Sequence, residues 1–252
     1  MNKEDELLIQ RIGDLAERSY NNNQYTFTNF LSVAELSAFY ESQKEFAYAK
    51  PAVWGGCEVA ERCMIRFGDA QEWGYEEDFP IAAIEIKPLQ EKFADNLNHR
   101  DFLGALMNLG IKREMLGDIF VKGNAACVFC VASMAEYIVD NLTRIKHTSI
   151  MAKVSEDVSD ITKPDMKEMI LQVASQRVDA VIAKTYNMSR NTAVELFPKS
   201  LVFINGRICT ENAKPLKQGD TVSVRGFGKL RYDGETGISK KGKLNCRVWL
   251  YT

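Results

Sequence analysis

Residues 175–225 read SQRVDAVIAKTYNMSRNTAVELFPKSLVFINGRICTENAKPLKQGDTVSVR, and this stretch decides the fold of the C-terminal region. Ser175 is placed to cap a helix that reaches about Lys184, and Ser189 to cap a second helix that reaches about Leu196. Because so few residues separate the two segments, the pattern predicts a tight helical hairpin.

Strand signals follow the two helices. Residues 201–204 form an apolar run, and Asn205-Gly206 favours a type I′ turn into a return strand that starts at Arg207. A second turn at Gly219-Asp220 precedes residues 221–225, which alternate as a half-exposed strand does. We therefore expect β-hairpins after the helical hairpin.

Charge is distributed unevenly along the 252 residues. Residues 1–170 hold 18 Lys and Arg against 28 Asp and Glu, whereas residues 171–252 hold 14 against 6. A basic region binds polyanions because each neutralised phosphate releases condensed counterions. The asymmetry predicts a nucleic-acid surface in the smaller part, and an ordinary solvated basic face is the alternative.

The composition favours a cytoplasmic protein. No apolar run reaches the roughly 18 residues that a membrane span needs, and the first residues lack a secretory signal. We expect six reduced cysteines, no membrane contact and no cofactor. Cys127 and Cys130 lie three apart in a predicted strand and point to opposite faces, so no metal site is expected.

The part before residue 79 is predicted to be a helical subdomain, residues 1–78. A first helix spans about residues 4–19 and ends before three asparagines. The next helix begins with a capping box of Ser32 and Glu35 and runs to about Gln43.

The central part, residues 79–154, alternates strands and helices. Asp101 and Ser133 are predicted caps for its two helices. The predicted order is β-α-β-β-α-β, with strands at 81–86, 119–121, 125–131 and 148–154 and helices at 101–109 and 133–142. This is the ferredoxin-like, RRM-like arrangement. Residues 155–167 are predicted to be a linker before a domain at 168–252, which makes the chain α+β.

The C-terminal pattern resembles the S-four RNA-binding domain, named after a ribosomal small-subunit protein. The resemblance is carried by Arg177-Val178-Asp179, Ser189-Arg190, Ala193, Val202-Phe203-Ile204-Asn205-Gly206, Pro215, Gly219-Asp220, Val222 and Val224. It implies a concave basic face formed by the helical hairpin and the adjoining strand turn. The RNA contacts it implies are Arg177, Lys184, Arg190, Lys199, Asn205 and Arg207.

Phosphate is expected to dock at Ser189, Arg190 and Asn191, where a helix begins and offers backbone N–H groups. The alternative for Arg190 is an internal salt bridge to Asp179. Arg177 and Asp179 could likewise orient the helices without touching RNA.

Cations alternate with aromatic residues after residue 224. Arg225, Lys229 and Arg231 flank Phe227 and Tyr232, a composition suited to unpaired bases. The alternative is a hairpin whose rings pack inward. Residues 233–237 are predicted to form a turn, and Lys240, Lys241 and Lys243 crowd the next one. All these cations are expected to share a single face with those of the helical hairpin.

Central stretches resemble the bacterial YlmH family. They are His99-Arg100-Asp101-Phe102-Leu103-Gly104, Leu109-Gly110-Ile111-Lys112-Arg113 and Gly117-Asp118-Ile119. The resemblance implies binding to large-subunit rRNA and tRNA on the ribosome, in the handling of stalled nascent chains, and genes that neighbour cell-division genes.

Two other functions remain open at this point. An RNA-modifying enzyme of the pseudouridine synthase type would need a catalytic aspartate, for which Asp101 and Asp118 are available. A protein-interaction factor would use the acidic part to bind a protein partner. We expect a non-enzymatic RNA-binding protein without catalytic residues.

Overall fold

A computed structural model describes residues 3–163, 165–239 and 242–251. The chain divides into two compact units, Met1–Lys163 and Pro164–Thr252. The division lies inside residues 155–167, but part of that segment is not the predicted linker, because Ser159–Thr162 form a helix and Met166 begins a strand. The first unit holds 17 Lys and Arg against 26 Asp and Glu, and the second 15 against 8. The charge asymmetry therefore follows the physical division of the chain.

The first unit begins with a subdomain that contains strands as well as helices. Its elements are α1 (Lys3–Asn22), β1 (Thr26–Phe27), α2 (Val33–Ser42), a 3-10 helix (Gln43–Ala49), β2 (Ala52–Trp54), β3 (Met64–Phe67) and α3 (Ala70–Trp73). The strands form an antiparallel sheet in the order β1-β3-β2. The prediction of a purely helical subdomain is therefore wrong. Two-residue and three-residue strands carry almost no alternation, and β3 is buried throughout, so its one charged residue, Arg66, does not mark an exposed face.

The capping box of α2 is confirmed. The Ser32 N–H donates to Glu35 Oε2 at 2.7 Å, and the Glu35 N–H donates to Ser32 Oγ at 3.4 Å. The two reciprocal bonds satisfy donors that the first helical turn leaves without intrahelical partners.

The rest of the first unit has the predicted β-α-β-β-α-β order with a short strand added. Its elements are β4 (Ile81–Pro88), α4 (His99–Asn108), β5 (Leu116–Lys122), β6 (Ala125–Val131), α5 (Ala135–Asn141), β7 (Arg144–Ile145), β8 (Thr148–Val154) and α6 (Ser159–Thr162). The antiparallel sheet has the order β5-β6-β4-β8-β7. The α+β class is confirmed.

The second unit is a six-stranded antiparallel sheet with a helical hairpin. Its elements are β9 (Met166–Val173), α7 (Val178–Thr185), α8 (Arg190–Val194), β10 (Val202–Ile204), β11 (Arg207–Ile208), β12 (Thr221–Val224), β13 (Gly228–Ile238) and β14 (Leu244–Tyr251). The strand order is β11-β10-β12-β13-β14-β9. Asn205 and Gly206 have φ of 51° and 77°, as the predicted type I′ turn requires.

Three local predictions are wrong. Asn98 caps α4, with Asp101 as the third helical residue of its capping box. Ser133 lies in a 3-10 turn before α5, and Ser175 precedes α7 without capping it. At α7 the Val178 N–H donates to the Lys214 carbonyl at 2.9 Å, so a distant loop replaces the side-chain cap.

The predicted turn at residues 233–237 is instead part of β13. The pairing of β13 with β14 shifts register between Tyr232 and Gly234 and again between Glu235 and Gly237. The glycines therefore mark bulges in a long strand. Among the helices of the described ranges, none combines the length and apolar composition of a membrane-spanning segment.

Candidate nucleic-acid interface

Arg177 and Arg190, which we call the arginine pair, bind the same buried carboxylate. Arg177 donates to Asp179 through Nε at 3.1 Å and Nη2 at 2.8 Å. Arg190 donates through Nε at 3.2 Å and Nη2 at 3.4 Å. The side chain of Asp179 is 1% exposed, whereas those of Arg177 and Arg190 are 36% and 49% exposed. One buried anion thus holds two partly exposed cations at the start of α7 and α8.

The charge of Asp179 is stabilised by these contacts. Burial alone would raise its pKa, but the hydrogen bonds and positive charges of Arg177 and Arg190 outweigh burial and hold the pKa below its usual value. The cluster keeps a net positive charge, and the Nη1 group of each arginine is not used in binding Asp179. The internal bridge is therefore present and still leaves guanidinium groups for a phosphate.

The start of α8 is a weaker phosphate site than the sequence predicts. Ser189 caps the helix as expected, since its Oγ accepts from the Thr192 N–H at 3.0 Å. That bond occupies one of the few free amides. The helix has five residues, so little dipole adds to Ser189 and the exposed Asn191.

Asn205 has a structural role in the second unit. Its amide nitrogen donates to Asp220 Oδ1 at 2.8 Å, and its Oδ1 accepts from the Thr221 N–H at 2.9 Å. Its side chain joins the two turns predicted from the sequence, so we withdraw it from the proposed RNA contacts.

The remaining cations of the predicted helix face are exposed. Lys184 lies in the last turn of α7, and Lys199 follows α8. Arg207 is the cross-strand partner of Ile204, a residue of the core beneath α7. Cross-strand partners share one side of a sheet, so Arg207 lies on the side where the helices pack.

Arg225, Lys229 and Arg231 lie on the opposite side of the sheet. Leu230 and Tyr232 alternate with Lys229 and Arg231 along β13, and both are buried in the core that contains the α7 residues. The expectation of a single cationic face is therefore wrong: the second unit has one on the helix side and one on the far side.

We call this far side the outer sheet face. It is formed by Phe203, Arg225, Lys229, Arg231 and three residues of β14, namely Arg247, Trp249 and Tyr251. The β14 residues were not predicted from the sequence, although Cys246, Val248 and Leu250 alternate with them as apolar residues. That alternation was the signal that could have found them.

The two rings predicted to stack on bases, Tyr232 and Phe227, differ in exposure. Tyr232 is 1% exposed and belongs to the core, as the alternative reading stated. Phe227 is 47% exposed and lies 5.8 Å from the Tyr186 ring. Lys243 is exposed, while Lys240 and Lys241 lie outside the described residues.

Asp101 and Asp118 are both engaged in structural bonds. Asp101 accepts from Lys146 Nζ at 2.7 Å and from the Asn98 N–H at 2.9 Å, and the Lys146 bond lowers its pKa. Asp118 accepts from the Arg62 N–H at 3.0 Å, and burial raises its pKa. Each carboxylate has partners that explain its position without a substrate.

One face of the five-stranded sheet packs against α4 and α5, and we call the opposite face its second face. This second face is covered over β5 and β6. An RRM uses aromatic rings on this face to stack on bases. Here Phe120 and Phe129 pack in one cluster with Phe30 and Met64 of the N-terminal subdomain and with Val158 and Ile161. Over β4 and β8, Glu85 binds Lys87 at 2.5 Å and Lys153 at 3.0 Å. Base stacking in the RRM manner is therefore blocked over half of this sheet.

Cys127 and Cys130 point to opposite sides of β6, as their spacing predicts. Cys127 belongs to the cluster with Phe30, whereas Cys130 belongs to the core beneath α4 and α5. Burial raises the pKa of both thiols to about 12. The pair cannot bind one metal ion.

Comparison with known proteins links the chain to RNA. A family model described as "Putative RNA-binding domain in YlmH" matches residues 75–158. A Bacillus subtilis protein named "Ribosome-associated protein quality control protein P2" is 32% identical over 192 residues, which are 75% of this chain and 73% of the relative. A solved structure named "Cell division protein ylmH from Streptococcus pneumoniae" is 20% identical with a TM-score of 0.51 and covers 64% of this chain and 96% of its own. The structural likeness shows the fold.

Proposed function

This chain belongs to the YlmH family, and we propose that it is a non-enzymatic protein that binds structured RNA on the ribosome. The finer proposal is contact with large-subunit rRNA and tRNA in quality control of stalled nascent chains, in the cytoplasm. The name of the Bacillus subtilis relative supports the process, and the S-four resemblance of the second unit supports the mode of binding.

The arginine pair is the observation that carries this proposal. Two guanidinium groups fixed by one buried carboxylate are already oriented before RNA arrives, so binding costs little side-chain entropy. Arginine forks match phosphate oxygens in geometry and in charge. We propose that RNA phosphates bind Arg177 and Arg190, with Lys184, Lys199 and Arg207 as further contacts.

The charge distribution supports placing RNA on the second unit. The segment matched by the family model, residues 75–158, holds 9 Lys and Arg against 13 Asp and Glu. A net negative segment whose sheet face is covered over β5 and β6 is poorly suited to bind a polyanion over a broad area. We propose that this segment makes local RNA contacts or binds a protein partner, while the second unit supplies most of the affinity.

The main test measures how the full chain binds a structured rRNA fragment at several salt concentrations. Arg190→Ala is the sharper variant, because the bonds of Arg190 to Asp179, at 3.2 and 3.4 Å, are longer than those of Arg177, at 3.1 and 2.8 Å, so its removal disturbs the buried carboxylate less. We expect it to weaken binding by more than about tenfold and to lower the slope of log affinity against log salt by about one. Arg177→Ala should weaken binding to a similar degree.

Two controls separate binding from folding. Arg190→Lys keeps the positive charge but loses the fork, so it should retain stability and lose part of the affinity. Lys44→Gln removes a charge from an exposed position of the acidic unit and should bind as the wild type does. Unchanged affinity in both arginine-to-alanine variants would overturn the proposed contact.

The absence of catalysis needs a separate measurement. Mass analysis of rRNA and tRNA incubated with the protein should show every base unaltered. A pseudouridine or a methylated base that depends on Asp101 or Asp118 would instead establish the enzymatic alternative.

A further inference from the structure

The outer sheet face carries a second cluster of cations, this time beside aromatic rings. The Arg225 guanidinium carbon lies 5.1 Å from the centre of the Phe203 ring, and Lys229 Nζ lies 5.4 Å from that of Tyr251. Arg231 is the direct cross-strand partner of Trp249. Two cations of β13 and one cation just after β12 therefore each lie next to an aromatic ring.

We propose that the outer sheet face binds unpaired RNA nucleotides, as a contact separate from the helix side of the same unit. This inference rests on the proposed RNA-binding function and adds a second mode of recognition to it. Phosphates would bind Arg225, Lys229 and Arg231, while bases would stack on Tyr251 and Trp249.

The composition of the face favours unpaired nucleotides over a duplex. Tyr251 and Trp249 are half-buried, so each ring is held in place and keeps part of its surface open. A ring stacks on a base only when the base is out of its helix, whereas a duplex presents phosphates and groove edges. The helix side, with its arginine forks, suits the phosphate backbone of structured RNA.

Charge on the outer sheet face also favours a polyanion over an acidic or apolar protein segment. Arg247 is offset, since it lies 2.9 Å from Glu168 and 3.6 Å from Asp233. Arg225 and Arg231 give the remaining face a positive charge. An acidic peptide could use the charge but would leave the rings without stacking partners.

The two cationic faces lie on opposite sides of one sheet. Leu230 and Tyr232 fill the core on the helix side, and the residues between and beside them point the other way. A single RNA duplex cannot contact both sides at once. The unit is therefore built to hold two RNA segments, one structured and one unpaired.

The test measures binding of the full chain to a labelled oligouridine of about 12 nucleotides and to a perfect RNA duplex of similar length. Tyr251→Leu combined with Arg231→Gln should weaken oligouridine binding by at least about fivefold, because one stacked base and one phosphate contact are lost. For the duplex, the decrease in the logarithm of affinity of the same variant should be less than half of its decrease for oligouridine.

Arg190→Ala should show the opposite order, with duplex binding weakened more than oligouridine binding. Equal losses on both probes in both variants would overturn the separate face but leave the proposed RNA-binding function standing. Unchanged oligouridine binding in the double variant would also overturn it. If no variant lost affinity for the duplex, that result would instead count against the proposed RNA-binding function.

A cross-linking measurement does not depend on variants that must fold. Oligouridine containing 4-thiouridine, irradiated with the wild-type chain, should attach to the peptide that contains Trp249 and Tyr251. Attachment confined to peptides of α7 and α8 would overturn the proposal.

Discussion

The five-stranded and the six-stranded antiparallel sheets differ in what lies on the face that does not pack against helices. Each sheet packs one face against helices, the five-stranded sheet under α4 and α5 and the six-stranded sheet under α7 and α8. The second face of the five-stranded sheet is closed by Phe30 and Met64, whereas that of the six-stranded sheet carries half-exposed cations and rings. The comparison shows that two sheets that each pack one face against helices can differ in what their other faces leave exposed.

The closed face depends on a close approach of the N-terminal subdomain. A side chain at Gly117 would place its Cβ 2.7 Å from the Phe30 ring and 2.9 Å from the Phe129 Cβ, so only glycine fits there. The Phe30 N–H donates to the Glu114 carbonyl at 2.9 Å, and Arg62 Nη2 donates to the Phe30 carbonyl at 3.0 Å. These bonds fix Phe30 over the sheet and remove the rings beneath it from any ligand.

The largest expected effect contrasts two aromatic substitutions on these second faces. Phe129→Ala should lower the free energy of unfolding of the first unit by about 4 kcal/mol, because it leaves a cavity under Phe30. Tyr251→Leu on the half-exposed face should cost less than about 1 kcal/mol. Urea denaturation of each variant and of the wild type measures the two changes in the free energy of unfolding. Similar losses would show that the two faces are equally closed.

The next effect concerns the carboxylate beneath the arginine pair. Asp179→Asn should lower the stability of the second unit by about 2 kcal/mol, less than for a fully buried ion pair because both arginines are partly exposed. Thermal unfolding at neutral pH measures the loss. A variant as stable as the wild type would mean that Asp179 does not hold the helices.

The same variant changes how stability depends on pH. Since the pKa of Asp179 is lower in the folded state, its contribution is present above the unfolded value of about 3.9 and is lost as pH falls through the folded value. The stability difference between the wild type and Asp179→Asn should therefore shrink below about pH 4. A difference that stays constant down to pH 2 would contradict the lowered pKa.

The smallest expected effect is that of a substitution at Asn205, and it tests whether this residue stabilises a turn or contacts RNA. Asn205→Gly keeps the positive φ allowed and removes both hydrogen bonds to the neighbouring turn, so it should cost about 1 kcal/mol of stability. RNA affinity should not change once the variant is folded. A loss of RNA affinity comparable to that of Arg190→Ala would return Asn205 to the contact surface.

Several features of the fold could be predicted from local sequence. The capping box of α2, the Ser189 cap, the type I′ turn and strands β6 and β8 each depend on a few neighbouring residues. The cap of α7 could not be predicted in this way, because its amide partner is the Lys214 carbonyl of a distant loop. The strands of the N-terminal subdomain were missed because they are short or buried on both sides.

The candidate site also has a part that the sequence predicts and a part that only the structure shows. Composition identified the basic C-terminal region, the S-four resemblance identified Arg177 and Arg190, and the alternation of cations with aromatic residues identified Arg225, Lys229 and Arg231. Sequence order could not show that Asp179 binds both members of the arginine pair, or that Asn205 joins two turns.

The sequence by itself determined the β-α-β-β-α-β order of residues 79–154, the charge division and the helical hairpin, since propensity, capping and net charge are local or additive properties. Only the tertiary structure decided that the cations occupy two opposite sides of one sheet and that the rings of the other sheet are covered. The side of a strand residue depends on register and on what packs against each face, and both are set by residues far away in the chain.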